Sequence, residues 1–300
     1  MSPRGELTLG QCKLNLIVYK EDKNMKNIMN IKKAFTHGAT FHADDAFSTA
    51  LLQMLNHSIE IVRTTNREEV SDALANEDFL VFDTGFGQYD HHQKDKALRE
   101  DGTPYAAFGL LWKEFGQALC NSTDAWEIVD SDLVKPIDLA DNGIQANPLS
   151  LAISQLNPAW DDEDQDTNKG FWTAVSMADK LLRATIKSAN ASIKAEKFIM
   201  NSRFEDGILI LDRFIEWQHT VVNKMPDVMY VIFPSNRGGF NIMTVPQYEG
   251  AFVGRKGFPS KWLGNPDKTL GMTFCHINNF IASTQTLEQA INVAKIALAS

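Results

Sequence analysis

The chain has 300 residues, 44% of them apolar and 22% charged, enough for one large domain or two ordinary ones around substantial cores. Its 29 Lys and Arg against 38 Asp and Glu give a net charge of −9, which excludes a protein built to coat nucleic acid non-specifically. Cys12, Cys120 and Cys275 are too few and too scattered for a disulfide framework or a thiolate metal cluster, and neither a membrane span nor a signal peptide can be read, so a soluble intracellular protein, cytoplasmic by default, is expected.

In chain order, residues 1–33 read as a peripheral extension, with Met25 and Met29 as alternative starts. Residues 31–35 form a short apolar strand candidate that delivers Thr36 and His37. Ala46, Phe47, Ala50, Leu51, Met54 and Leu55 then have the spacing of a buried helical stripe. Ile59 to Arg63 reads as a strand, Asn66 with Glu69 as a capping box opening a helix, and Phe79 to Phe82 as a fully buried strand. This alternation predicts an α/β domain with a mainly parallel sheet, in which ligands bind at the carboxyl ends of strands. His37 and Asp83 both follow predicted strands.

Helices are expected over about 103–120 and 125–140, with a turn at Asp141-Asn142-Gly143. Residues 157–168 are rich in Pro and Asp and read as a linker, followed by a long helix to about residue 200. Strand-like segments at 208–211, 228–233, 240–245 and 273–276, and a closing helix capped by Thr286, predict a second, smaller α/β domain over 201–300. Charge is uneven along this plan. Residues 1–35 net +4, residues 36–200 net −14 and residues 201–300 net +1, and the segment Arg237 to Lys268 has five basic and two acidic side chains. The run from Asp161 to Asp166 reads as a solvated linker, whereas the other acids are not in runs.

Four pieces suggest chemistry: His37-x4-His42-x-Asp44-Asp45, Asp83 at a strand end, Asp90-His91-His92, and Asp138 with Asp141-Asn142-Gly143. Imidazole with carboxylate suits Mn²⁺, Mg²⁺, Zn²⁺ or Fe²⁺. A lone Asp after a strand is usually a turn or cap, and a lone His is usually a hydrogen-bonded core or surface group. Four such pieces falling at strand and helix ends of one predicted sheet can converge, with the rigidly held Asp83 as the natural bridge between two cations about 3.5–4 Å apart. Such a pair activates a water for phosphoester hydrolysis.

Thr36-His37 with Phe41-His42-Ala43-Asp44-Asp45, then Asp83-Thr84-Gly85, Tyr89-Asp90-His91-His92-Gln93 and Asp138 to Ile144 resemble the successive motifs of the DHH phosphoesterase superfamily. The chain is most similar to its Myg family, named from a melanocyte-proliferating gene. Leu156-Asn157-Pro158, Arg255-Lys256, Trp262-Leu263-Gly264 and Phe274-Cys275-His276 agree, so the resemblance covers roughly residues 34–300. It implies a DHH-type domain over 34–156, an acidic linker and connecting helix over 157–200, and a smaller substrate-binding domain across a cleft. It further implies two metals, usually Mn²⁺, one held by His37, His42 and Asp83 and the other by Asp44, Asp83, His91 and Asp141. His92 would sit near the scissile phosphate, Asp90 would orient a histidine, and Asp45 and Asp138 would support the site. Arg255, Lys256 and His276 would bind substrate phosphates. The chain departs from the family pattern at Gly38-Ala39, in the short loop from Asp83 to Asp90, and at Asn278-Asn279.

The expected function is a metal-dependent phosphodiesterase, a 3′–5′ exonuclease on RNA or short oligonucleotides, as the resemblance implies. The alternatives are a hydrolase of a small phosphoester, pyrophosphate or dinucleotide, and a catalytically silent binding protein using the same fold. With only one basic segment, short substrates fit better than duplexes, no membrane partner is expected, and a homo-oligomer stays open.

Overall fold

The computed structural model describes residues 28–300, and the expected extension lies outside them up to residue 27. The fold is mixed α/β and divides after Asn190. The division comes ten residues before the expected boundary, because Ala195 and Ile199 on the long helix pack into the core of the second unit. Among the described residues no helix is long and apolar enough to cross a membrane.

The first unit is built on a three-stranded parallel sheet, β1 (Lys33–His37), β2 (Glu60–Thr64) and β3 (Phe79–Val81), in the order β2-β1-β3. Parallel strands need crossovers, and helices α1 (Ala43–Leu55) and α2 (Arg67–Leu74) supply them. Asn66 caps α2 by accepting the Glu68 N–H, but the expected box is not completed: Glu69 instead accepts a hydrogen bond from the Thr64 hydroxyl. Helix α1 is buried nearly all round, with Phe47, Leu51 and Leu52 fully enclosed. It packs on α3 (Ala107–Phe115), where the Phe47 and Phe108 rings lie 5.3 Å apart.

The helix expected over 125–140 is three pieces: α4 (Thr123–Val129), a π-helical segment over Asp130–Val134, and α5 (Lys135–Asp141). Pro136 has no N–H to continue an α-helical ladder, and just before it the Lys135 N–H reaches back five residues to the Asp130 carbonyl. The helix expected over 103–120 is likewise shorter, ending at Phe115 and tightening into a 3₁₀ turn over Gly116–Leu119. A further helix, α6 (Pro148–Ser154), follows, capped by Asn147 with Pro148 at its first position. Helix α7 (Thr167–Met200) begins in this unit and runs on past Asn190 into the second.

The second unit is a six-stranded sheet of order β4-β5-β6-β7-β9-β8, made of β4 (Arg203–Glu205), β5 (Ile208–Ile210), β6 (Tyr230–Pro234), β7 (Phe240–Thr244), β8 (Met272–Cys275) and β9 (Ile281–Thr284). Only the β5–β6 pair is parallel. Strand alternation divides its side chains between two cores. Tyr230, Ile232, Ile242 and Ala282 pack under α9 (Leu287–Ala299), whereas Leu209, Val231 and Phe233 pack with Trp217 and Val221 around α8 (Gln218–Lys224). Thr286 and Gln289 form the reciprocal capping box of α9.

Candidate metal centre

Strand β1 ends at His37, and the neighbouring β3 leads into Asp83, so both side chains stand at the carboxyl edge of the parallel sheet. The strand end is fastened by the Phe82 N–H to Phe35 O and the Asp83 N–H to Tyr89 O. Asp83 itself has φ 53°, a left-handed conformation that Asp adopts more readily than most residues. The loop after β1 is held by Asn157, whose amide both accepts from the Phe41 N–H and donates to the Phe41 carbonyl. It delivers His42, Asp44 and Asp45 to the start of α1. Asp45 accepts the His42 N–H at 2.9 Å and the Thr36 hydroxyl at 3.1 Å.

These groups meet in the first unit. His37 Nε2 lies 2.9 Å from Asp45 Oδ1 and 3.2 Å from Asp83 Oδ2. His91 sits between carboxylates, with Nδ1 3.2 Å from Asp83 Oδ1 and Nε2 2.9 Å from Asp141 Oδ2. His42 Nδ1 is 3.9 Å from Asp141 Oδ1. Asp44 is fully buried at the N-terminus of α3, where it accepts the Ala107 and Phe108 N–H groups. His92 Nδ1 is 2.7 Å from Asp90 Oδ1, which leaves its other ring nitrogen free on a half-exposed side chain.

The donor set fits divalent cations on three observations. Three groups of side chains each bring their ligand atoms within 4.8 Å: Asp83, Asp90, His91 and His92; His37, His42 and Asp45; and Asp44, His91 and Asp141. Among the described residues the buried Asp83 Oδ1 and His91 Nδ1 have no hydrogen-bond partner, since their 3.2 Å approach lacks hydrogen-bonding geometry. His37 Nδ1 lies 3.0 Å from the Gly38 carbonyl, an acceptor only, so that nitrogen keeps its proton and Nε2, facing Asp45 and Asp83, is the atom that can give up a proton and become a ligand.

The electrostatics match a site short of positive charge. Burial lowers the basicity of His37, but the Asp45 and Asp83 carboxylates outweigh it and lift the imidazole to about 11. Burial likewise opposes, and Asp141 and Asp83 overcome, in His91, which rises to about 9. Burial, reinforced by Asp141 and Asp83, pushes Asp44 well above the ordinary carboxylate range. Burial also raises Asp83, whereas Asp45 is held low against its own burial by His37. Neutral imidazoles and ionised carboxylates are what a cation requires, so cations and protons compete for the same lone pairs here.

Asp138 does not join the three groups. It is fully buried, accepts the Gly109 N–H at 3.1 Å and meets Arg99 Nη2 at 2.7 Å. Burial pushes its carboxyl up to about 7, although Arg99 pulls the other way. A Cβ at Gly109 would stand 1.9 Å from Asp138 Oδ2, so this close approach requires glycine. Arg99 also makes a two-pronged contact to Asp130 and lies over the Tyr105 ring. Sequence reasoning missed Arg99, which sits outside every motif and is recognisable only by what surrounds it.

In the second unit Arg255, Lys256 and His276 stand in different surroundings. Arg255 Nη1 donates to the carbonyls of Met225, Pro226 and Val228 and Nη2 to that of Val222, closing the C-terminal end of α8, so these donors are engaged by the chain itself. Lys256 has no hydrogen bond or ion pair among the described residues. His276 Nδ1 accepts the Asn278 N–H, and its ring lies 4.4 Å from that of Phe280. Asn279, at φ 61°, bonds both backbone groups of Phe258 and thereby ties the turn after His276 to the segment after Lys256.

A family model, MYG1_exonuc, described as "Uncharacterised protein family (UPF0160)", matches residues 33–298. The MYG1 exonuclease of Rattus norvegicus is 28% identical over 91% of this chain and 86% of its own length, and that of Homo sapiens is 26% identical over 92% and 88%. A MYG1 protein of Schizosaccharomyces pombe is 26% identical over 90% of this chain and 98% of its own. With the model match spanning nearly all of the described residues, the chain belongs to the Myg family.

Proposed function

We propose that the chain is a metal-dependent phosphodiesterase of the exonuclease type, acting 3′ to 5′ on RNA or short oligonucleotides, with a DHH-type first unit. The relatives named MYG1 exonuclease support the nuclease class. The observation that carries the reading is the buried, unpartnered Asp83 Oδ1 and His91 Nδ1 at the centre of converging carboxylates and imidazoles. His37, His42 and Asp83 would hold one cation, and Asp44, Asp83, His91 and Asp141 the second. Two bound Mn²⁺ or Mg²⁺ ions supply charge neutralisation at the phosphoryl oxygens and acidify a water.

The chain's own residues complete the chemistry. Asp90 fixes His92 through Nδ1, so that Nε2 can donate a hydrogen bond to a phosphoryl oxygen or hand a proton to the departing alkoxide. The helix α3 N-terminus holds Asp44 in place through two N–H groups. Lys256 and His276 remain the phosphate-binding candidates of the second unit. With Arg255 turned inward, the basic segment is smaller than the sequence suggested, which favours short substrates over long polymers.

The test is Mn²⁺-dependent turnover of a 5′-labelled RNA oligomer, a dinucleotide and pyrophosphate by wild type and Asp83→Asn. The expected result is stepwise 3′ shortening by the wild type and a loss of about 1,000-fold or more in the nearly isosteric variant. Cleavage of none of the three by the wild type, or full activity of Asp83→Asn, overturns the reading.

A further inference from the structure

The cavity that opens on the Asp and His cluster, about 960 Å³ in volume, does not end there. It continues over α2 and the loop from Asp83 to Asp90, where Thr65, Arg67, Val70, Leu74, Gly85 and Phe86 line it. A cluster that binds only cations and phosphate has no use for an apolar extension.

Phe86 is the unusual member. Its side chain is large and apolar, yet it is 71% exposed. Its backbone is left-handed, with φ 56°, a conformation that costs a bulky residue energy and persists only where the surroundings impose it. Two features impose it. The Phe86 N–H is held 2.6 Å from Asp90 Oδ2, while the other oxygen of the same carboxylate holds the His92 ring. On either side, Gly85 and Gly87 lie flat on α2: an added Cβ would come 2.7 Å from Val70 Cγ1 at Gly85 and 2.8 Å from Leu74 Cδ2 at Gly87. The loop is thereby fixed against the helix with the phenyl ring left in solvent. Leu74, 45% exposed, adds a second apolar surface in the same cavity. Arg67 also lines it, exposed and without a hydrogen bond or ion pair among the described residues. A free guanidinium suits a phosphate, and a planar ring presented face-free suits another planar ring.

We propose that Phe86 is a base-stacking residue, so that this site selects phosphodiesters bearing a nucleobase beside the scissile bond, with Arg67 contacting a phosphate. The proposal rests on the phosphodiesterase reading of the cluster and goes further, since it sets nucleotides above pyrophosphate and base-free phosphoesters. Asp90 has a double part in it, positioning His92 and the Phe86 backbone together.

The experiment compares kcat/KM for a dinucleotide and for its abasic counterpart with Mn²⁺, in wild type, Phe86→Ala, Phe86→Asn and Phe86→Trp. Asn removes the ring while tolerating the left-handed backbone, which separates stacking from loop disruption. The wild-type preference for the base-bearing substrate is expected to fall about 10-fold or more in the Ala and Asn variants, mainly through KM, and to persist in the Trp variant. A preference unchanged by Ala and Asn, or no preference in the wild type, overturns the proposal. If the wild type hydrolyses neither substrate, the phosphodiesterase reading fails separately. Calorimetric binding of AMP against ribose 5-phosphate in the presence of Mn²⁺ then decides on stacking: tighter AMP binding that Phe86→Ala abolishes supports it, and equal affinities refute it.

Discussion

The two units treat their charged side chains in opposite ways. In the first, carboxylates and the His91 imidazole are buried facing one another, and among the described residues Asp83 Oδ1 and His91 Nδ1 have no hydrogen-bond partner. In the second, Arg255 spends its Nη1 and Nη2 donors on four backbone carbonyls. Both occur in motifs that look functional as sequence. What separates them is the accounting of partners: carbonyls of the fold take up the Arg255 donors, whereas the Asp83 and His91 atoms are left open at the centre of the cluster.

The largest expected effect is on the fold around the first cluster. Arg99→Met leaves Asp138 and Asp130 without their cation and should destabilise the first unit by about 3–5 kcal/mol, read as a shift of the urea midpoint. A negligible shift would show that the Arg99 network is surface decoration and blunt the comparison. Asp138 gives the same network a pH signature. Its folded carboxyl is raised to about 7, so its contribution to stability is fully present below the unfolded value near 4 and is lost as pH rises through 7. Wild-type stability should therefore fall more steeply between about pH 4 and 7 than that of Asp138→Asn, and parallel curves would contradict the assignment.

For the second unit, Arg255→Met should cost about 1–3 kcal/mol of stability while leaving KM for the phosphodiester unchanged. A raised KM with unchanged stability would reverse the contrast and restore Arg255 as a phosphate ligand. The smallest effect concerns Ala39, which sits at φ 63°, a left-handed conformation that costs an alanine energy and a glycine almost none. Ala39→Gly should stabilise the chain by about 1 kcal/mol, measured by thermal melting.

Much of the site was legible because the sheet is parallel: two apolar strands each followed by a polar residue place His37 and Asp83 on one edge, and that follows from pattern alone. The division of the long segment over 123–141 was hidden in Pro136, whose missing N–H breaks the ladder without ending the helix. Helix α6 was missed although Asn147-Pro148 is a start signal, because only one polar-spaced turn follows. Strands β4 and β9 are three and four residues long, too short for alternation to show. Arg99 and Arg255 were illegible for a different reason. Their roles depend on partners 27 to 39 residues away, which no local spacing encodes.

We read the first unit's cluster as a cation site held by protons until a metal displaces them. At pH 7.5 the His37 imidazole at about 11 and that of His91 at about 9 are both protonated in the metal-free protein, and each must lose its proton to become a ligand. Titrating Mn²⁺ into wild type and Asp83→Asn by calorimetry, in two buffers of different ionisation heat, measures this directly. Wild type is expected to bind with a buffer-dependent heat that reports proton release, and binding is expected to be lost or greatly weakened in Asp83→Asn. Heats that do not depend on the buffer, or equal binding in the two proteins, would contradict it.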